Sequence, residues 1–216
     1  MPTETRVREL LKPFRLDLSS GQVDQVRAYL DLLLRWNQKI NLTAIRDAET
    51  SVTRHFGESL FLAAYTELRG RLVDIGSGAG FPGLALKIVF PDLAVTLLEP
   101  VTKKRAFLKE AARVCGFGGV EVRPERLEEF ARNCPEKFES ATSRAVGKLE
   151  RLVPQAAGCL KPGGRLFLWL TREQVAAVTS LPTSLRWEEP LPIPLSRNGI
   201  ILTGGCPAEI KTEGLR

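Results

Sequence analysis

Between Arg71 and Ile88 the chain reads RLVDIGSGAGFPGLALKI. A short apolar run ends in a carboxylate, Asp74, and glycines follow at alternate positions, Gly76, Gly78 and Gly80, ahead of Phe81 and Pro82. Glycine has no Cβ and enters left-handed backbone freely, so this spacing suits a turn that lets the main chain lie against a ligand. The dinucleotide fingerprint is G-x-G-x-x-G, and its last glycine would fall at Phe81. The spacing here favours instead a ligand without a pyrophosphate, since a helix start after such a turn otherwise attracts phosphate. S-adenosylmethionine fits, with its cationic sulfonium, amino-acid tail and nucleoside. Asp74 would attract the ammonium of the tail, directly or through water. The competing reading is a tight turn that binds nothing.

A second carboxylate, Glu99, closes the run AVTLLEP a little over twenty residues beyond the first glycine. An acid there can accept hydrogen bonds from both ribose hydroxyls, although a nicotinamide dinucleotide would use it equally well. In RPERLEEF, Leu127 and Glu128 are placed to meet an adenine ring and its exocyclic amine; the stretch also reads as an ordinary amphipathic helix start.

The formal charge is +6, from 31 Lys and Arg against 25 Asp and Glu. That excess is compatible with a polyanionic partner. Lys103, Lys104 and Arg105 open a helix directly after Glu99. Cations at a helix N-terminus oppose its dipole, which points to a use such as holding phosphate. Arg144, in TSRA, falls near the same edge and could pair with a phosphate, a base edge or a carboxylate; Asp74 and Glu128 are its intramolecular candidates. Arg123 and Arg197 are further RNA-contact candidates. The single histidine, His55, leaves no partner for a Ser-His or Cys-His device and reads as structural. Cys115, Cys134, Cys159 and Cys206 form no CxxC pair, so a metal is not expected and free thiols in a reducing cytoplasm are. No apolar stretch is long enough to span a membrane, and the first residues have no signal-peptide character.

These residues need a frame. From Arg71 onward short β-rich runs alternate with helical ones: RLVDIG, PGLALKIVF, AVTLLEP, KKRAFLKEAARVCG, GVEVRP, RLEEFARN, ESATSRA and LERLVPQAAGCL. Such alternation predicts βαβ units and a doubly wound, mostly parallel α/β sheet. A turn at KPGG leads into the apolar strand RLFLWL, then a helix over REQVAAVTSL. LRWEEPLPIPL and IILTGG form a closing antiparallel pair about Arg197-Asn198-Gly199. The first 69 residues read as a helical extension packed on a 70–216 donor-binding domain. Ser19 and Gln22 make a capping box before a helix with Val23, Val26, Leu30 and Leu33 on one stripe. A second helix runs over Ala48 to Leu68, with Val52, Phe56, Leu60 and Leu62 buried.

The stretches LVDIGSGAGFPGLALKI, VTLLEPVTKKRAFL and SRAVGKLERLVPQAAGCLKPGG, with WNQKINLTAIRD and RHFGESL upstream, together resemble the RsmG (GidB) family. That family is the bacterial 16S rRNA guanine-N7 methyltransferase of class I, Rossmann-like fold. The resemblance implies S-adenosylmethionine as donor and a guanine in the decoding-region loop of the small subunit as acceptor. It implies cofactor contacts at Gly76, Phe81, Glu99, Leu127, Glu128 and Arg144; Arg144 is further expected to orient the RNA or the cofactor in catalysis. The partner would be 16S rRNA, a 30S subunit or an assembly intermediate, met in the cytoplasm by a monomer. The family's acid after the second strand is usually Asp and is Glu99 here. Its Ser-Leu-Gly-Lys-Arg type run is replaced by Pro100 to Arg105, and the tail after Leu202 has no counterpart. On the residues alone, an NAD(P) oxidoreductase, a small-molecule methyltransferase and a non-catalytic RNA-binding module remain open.

Overall fold

A computed structural model describes residues 1–134, 137–144 and 147–208. Ala145, at the end of the run ESATSRA, and the tail from 209 lie outside the described residues. Five strands run parallel: β1 (Arg71–Ile75), β2 (Ala94–Leu98), β3 (Val120–Arg123), β4 (Phe138–Arg144) and β5 (Leu160–Thr171). Three follow antiparallel: β6 (Arg186–Trp187), β7 (Leu191–Pro192) and β8 (Gly199–Gly205). The sheet order is β3-β2-β1-β4-β5-β8-β6, with β7 also on β8. The winding reverses between β1 and β4, and ligands of such sheets bind beyond the carboxyl ends of the strands at that point.

β1 shows why the apolar runs are nearly continuous: after Arg71 all its residues are buried, because helices cover both faces. One cover is N-terminal. α1 (Glu4–Leu11) and α2 (Ser20–Asn37) lead into a broken segment of α3 (Ala48–Ser51), a π turn (Val52–Gly57), α4 (Glu58–Leu60) and a 3-10 turn (Phe61–Ala64). The Ser19–Gln22 capping box forms as its residue types require. The expected stripe of Val23, Val26, Leu30 and Leu33 is buried in one cluster with Leu72, Phe81 and Phe167. The other face carries Val73, Ile75, Leu127, Leu152 and Leu168.

Two elements depart from the periodicity. The expected helix over Ala48–Leu68 buries Val52, Phe56, Leu60 and Leu62 as foreseen, yet changes pitch three times and ends at Ala64. A wide turn of this kind re-aims side chains without breaking the chain's course. KPGG is not a turn before a strand. It lies inside β5, where the register jumps from Phe138↔Leu160 to Ser140↔Arg165 and Gly163 bonds to Cys206 and Pro207 carbonyls. The remaining helices are α5 (Gly83–Leu86), α6 (Thr102–Val114), α7 (Leu127–Arg132), α8 (Leu149–Gly158) and α9 (Arg172–Thr179). α5 is shorter than its apolar run. Its last residues turn to i→i+3 bonding while Lys87 reaches forward to the carbonyls of Pro91 and Leu93.

The N-terminal layer touches the glycine turn directly. Tyr29, fully buried on α2, donates its hydroxyl to Ala79 O at 2.7 Å. Gly80 has φ +83° and a Cβ there would overlap the Tyr29 hydroxyl, whereas at Gly78, φ +55°, a Cβ would meet only the Gly76 carbonyl oxygen at 3.8 Å, an ordinary contact. Gly80→Ala should therefore cost well over about 2 kcal/mol, and Gly78→Ala only the roughly 1–2 kcal/mol of left-handed strain. Urea unfolding of the two variants decides it; equal losses would mean that the hydroxyl gives way.

Candidate functional site at the carboxyl edge of the sheet

The β1–β2 ladder continues past the strands. Gly76 and Ser77 both donate to Leu98 O, at 3.0 and 3.1 Å, and Gly76, Gly78 and Gly80 all hold positive φ. Glu99 then fixes the loop from the side. Its Oε2 accepts from Gly78 N at 2.9 Å and its Oε1 from Val101 N at 2.8 Å. The sequence reading gave this carboxylate to a ribose. In the structure both oxygens are engaged by the main chain and the residue is buried, so its first role is to hold the turn. Phe81 points away from the edge: its ring stacks between Tyr29 and His55, at 5.3 and 4.9 Å between centroids.

Asp74 lies beneath the loop. It is 1% exposed, Oδ1 accepts from Thr142 Oγ1 at 2.7 Å, and Oδ2 has no hydrogen-bond partner. Gly83 packs so closely that a Cβ there would overlap the Asp74 side chain. Burial pushes the Asp74 carboxyl up to about 6, against the pull of the Thr142 and Ser77 hydroxyls and the Gly83 backbone. Oδ1 is thus held to the neighbouring strand, while Oδ2 stays unpartnered beneath the glycine loop.

Above the turn is a cavity of about 340 Å³. Its floor and apolar walls include Ile75, Gly76, Leu98, Leu127 and Leu152. Glu125, Glu128, Arg126, Lys148 and Arg151 supply charge around it. Three expected positions, Gly76, Leu127 and Glu128, thus meet in one place. The α8 start at Gly147 and Lys148 closes the side. Sequence reading missed Glu125, Arg126, Arg151 and Gln155; adjacency to Leu127 and the first turns of α8 were the available signals. A slot with aliphatic walls, bare backbone at Gly76 and carboxylates on its margin suits a flat nucleoside that bears a cation.

Arg144 is elsewhere. Side chains alternate along a strand, and Arg144 shares the face of Thr142 and Asp74, toward the N-terminal layer. Its Nη2 pairs with Glu58 Oε2 at 2.7 Å and reaches Arg54 O at 2.7 Å, and its Nη1 reaches Ser59 Oγ at 3.2 Å. The partner is therefore Glu58, neither Asp74 nor Glu128. Arg54 holds the other Glu58 oxygen at 3.0 Å. With Trp169, Arg197 and Asn198 these residues line a second cavity of about 430 Å³ at the same edge.

The other basic candidates separate by their partners. Arg105 turns back to the carbonyls of Glu99 and Pro100, 3.1 and 2.6 Å away, and so caps the β2 turn. Arg123 pairs with Glu121 and Glu125 and lies over the Phe130 ring. Lys103 stands exposed in a groove with Trp36 and Lys39, Lys104 is half-exposed one residue on, and Arg197 is exposed.

The family model described as rRNA small subunit methyltransferase G (GidB) matches residues 22–188. Two relatives bear the name ribosomal RNA small subunit methyltransferase G. One, from Chloroflexus aggregans, is 43% identical over 76% of this chain and 70% of its own. The other, from Halorhodospira halophila, is 38% identical over 81% and 82%. Among solved structures, a ribosomal protein L11 methylase from Lactobacillus delbrueckii aligns at TM-score 0.57 and 16% identity, over 74% of this chain and 80% of that one. An rRNA methylase from Streptococcus thermophilus aligns at TM-score 0.52 and 15% identity, over 69% and 93%.

Asp74 also gives the fold a pH signature. Its carboxyl titrates near 6 in the fold against 3.8 for the ordinary group, so the folded state binds more protons in that window and stability falls as pH rises through it. The full effect is about 3 kcal/mol above pH 6. His55 has the opposite sign: burial and the nearby Arg144 and Arg54 lower it to about 4, so its contribution is lost as pH falls from 6.5. In Asp74→Asn the histidine slope is unopposed, and urea stability should climb more steeply between pH 4 and 6.5 than in the wild type. Parallel pH curves would show that Asp74 ionises like a surface carboxylate.

Proposed function

The chain belongs to the rRNA small subunit methyltransferase G family, and from that premise we propose that it methylates N7 of a guanine in 16S rRNA, in the decoding-region loop. The donor is S-adenosylmethionine, which supplies an electrophilic methyl group. The observation that carries this reading is the cavity at the winding reversal, where Gly76, Leu127 and Glu128 converge beside a glycine turn braced by Glu99. Leu127, with Ile75 and Leu98, would cover the faces of the adenine. Glu128 would meet its exocyclic amine. Glu99 would bring the loop backbone, and its remaining lone pairs, to the ribose, while Asp74 sets a negative potential under Gly76, Gly78 and Gly80. The backbone at Phe81, rather than its ring, would border the tail.

Guanine N7 carries an in-plane lone pair and no proton at neutral pH. Methylation there is an in-line displacement that needs no general base, so the protein's task is alignment. The acceptor base must be unstacked or drawn from a loop to enter. Arg144 would orient the RNA from the second cavity; Lys103, Lys104 and Arg197 would contact phosphates, with Arg105 and Arg123 closer to structural pairs. In this reading residues 1–69 form a helical layer on a 70–216 donor-binding domain. The enzyme works as a monomer in the cytoplasm on 16S rRNA within a 30S subunit or an assembly intermediate. Among the described residues no helix is long and apolar enough to cross a membrane.

Radiolabelled S-adenosylmethionine offered with 30S subunits, stripped 16S rRNA and unrelated RNA should label small-subunit RNA alone, and mapping should place the methyl on guanine N7. Labelling of none would sink the assignment. S-adenosylhomocysteine should raise the melting temperature and NADH should not. Leu127→Arg, which drives a charged chain into the cavity wall, should abolish that shift while the unliganded protein stays folded; a retained shift would place the donor elsewhere.

A further inference from the structure

The motif RHFGES contributes two residues, Arg54 and Glu58, to the second cavity, and nothing in donor binding uses them. Glu58 is only 5% exposed, yet it lines that cavity. Its carboxylate is gripped by Arg54 on one oxygen and Arg144 on the other, and its carbonyl accepts from Trp169 Nε1 at 2.8 Å. The π turn between Val52 and Gly57 sets Arg54 and Glu58 side by side in this arrangement. A carboxylate so enclosed is costly to bury unless its partners are held in fixed geometry. The result is that Arg144 cannot swing: Nη1 and Nη2 are pinned by Ser59, by the Arg54 carbonyl and by Glu58. Among the described residues its Nε–H donates to no partner, and Arg144 lines the cavity.

We propose that the second cavity receives the target guanine, and that Arg144, positioned by Glu58, selects it by donating to the O6 keto oxygen. The proposal rests on the rRNA guanine reading above and names the recognition within it. Guanine presents O6 and N7 as neighbouring acceptors on one edge, whereas adenine places an amino donor where O6 would be. A guanidinium tethered on its Nη side cannot present its free fork to both atoms. It holds O6 through one bond and leaves the N7 lone pair unengaged for attack. Adenine would set N–H against N–H and leave a desolvated donor unpaired, which is the kind of mismatch that discriminates strongly. The cavity's volume of about 430 Å³ is within the range of small-molecule sites. Arg54 and Arg197 at the same cavity leave positive charge for the flanking phosphates. Glu58 is on this account a positioning residue and touches no substrate atom.

The test needs RNA in which the mapped target carries guanine, inosine or 2-aminopurine. Inosine keeps O6 and loses the 2-amino group; 2-aminopurine loses O6. Rates are normalised to each base's reactivity toward dimethyl sulfate, which reports intrinsic N7 nucleophilicity. Wild-type kcat/KM on inosine should stay within about tenfold of guanine and fall by at least about 100-fold on 2-aminopurine. In Arg144→Met and in Glu58→Gln the guanine to 2-aminopurine ratio should collapse to within about tenfold, with S-adenosylhomocysteine affinity unchanged by calorimetry in Glu58→Gln. The wild-type base series stands without either variant, should one fail to fold. A wild type indifferent to O6, as a cavity that reads phosphate alone would be, overturns the proposal, as does a variant that keeps the full ratio. Absence of methylation on any RNA would instead refute the function itself.

Discussion

The two hydrogen bonds of the Glu99 carboxylate set the geometry on which the edge depends. One oxygen holds Gly78 N and the other Val101 N, so a single side chain at the end of β2 binds the glycine turn after β1 to the chain entering α6. Charge-assisted bonds to backbone N–H groups are among the stronger ones in proteins, and these act where three left-handed residues would otherwise leave the turn loose. With the turn fixed, Gly76 is presented to the first cavity and Ala79 to Tyr29. The helical layer therefore braces the loop from below while β2 braces it from the side. A loop held at both points lies ready against a ligand without further ordering, which lowers the entropy lost on binding.

Much of this was legible because strands and helices have different periods. The alternation after Arg71 predicts the parallel sheet, and the Ser19–Gln22 box and the Val23, Val26, Leu30, Leu33 stripe predict α2 and its buried face. Gly76, Leu127 and Glu128 meet as their spacing suggested. What could not be read required partners distant in sequence. Arg144 and Glu58 are 86 residues apart, and strand alternation says that Arg144 shares a face with Thr142 but not which layer covers that face. That Thr142, 68 residues on, holds one oxygen of Asp74 was equally out of reach. The π turn, whose Gly57 packs on Phe14, and the register jump at KPGG, whose Gly163 bonds to the chain after β8, have no periodic signature.

The positive charge is likewise unevenly available. Arg6, Arg8, Arg27, Arg35, Arg69 and Arg165 each lie against a carboxylate. Pairs this exposed add little to stability and largely cancel as a field at ordinary salt. Arg126, Lys148 and Arg151 line the first cavity and Arg197 the second, all of them exposed residues. Part of the positive charge thus stands at the edge that carries both cavities.

Two groups near that edge are strongly perturbed, Asp74 upward to about 6 and His55 downward to about 4. Such a pair in a cleft is ordinarily the mark of acid–base catalysis. Here neither lines either of the two cavities at that edge. Asp74 is closed in by Thr142 and Gly83, and His55 stacks on Phe81 with its Nε2 2.8 Å from Thr43 Oγ1. Their shifts come from burial in the two layers that brace the loop, so they report on its packing. In the proposed reaction the acceptor nitrogen has no proton to lose and gives such groups nothing to exchange. The fold can then place titratable residues inside its supporting layer and leave the cavities to carboxylates and guanidiniums whose task is position.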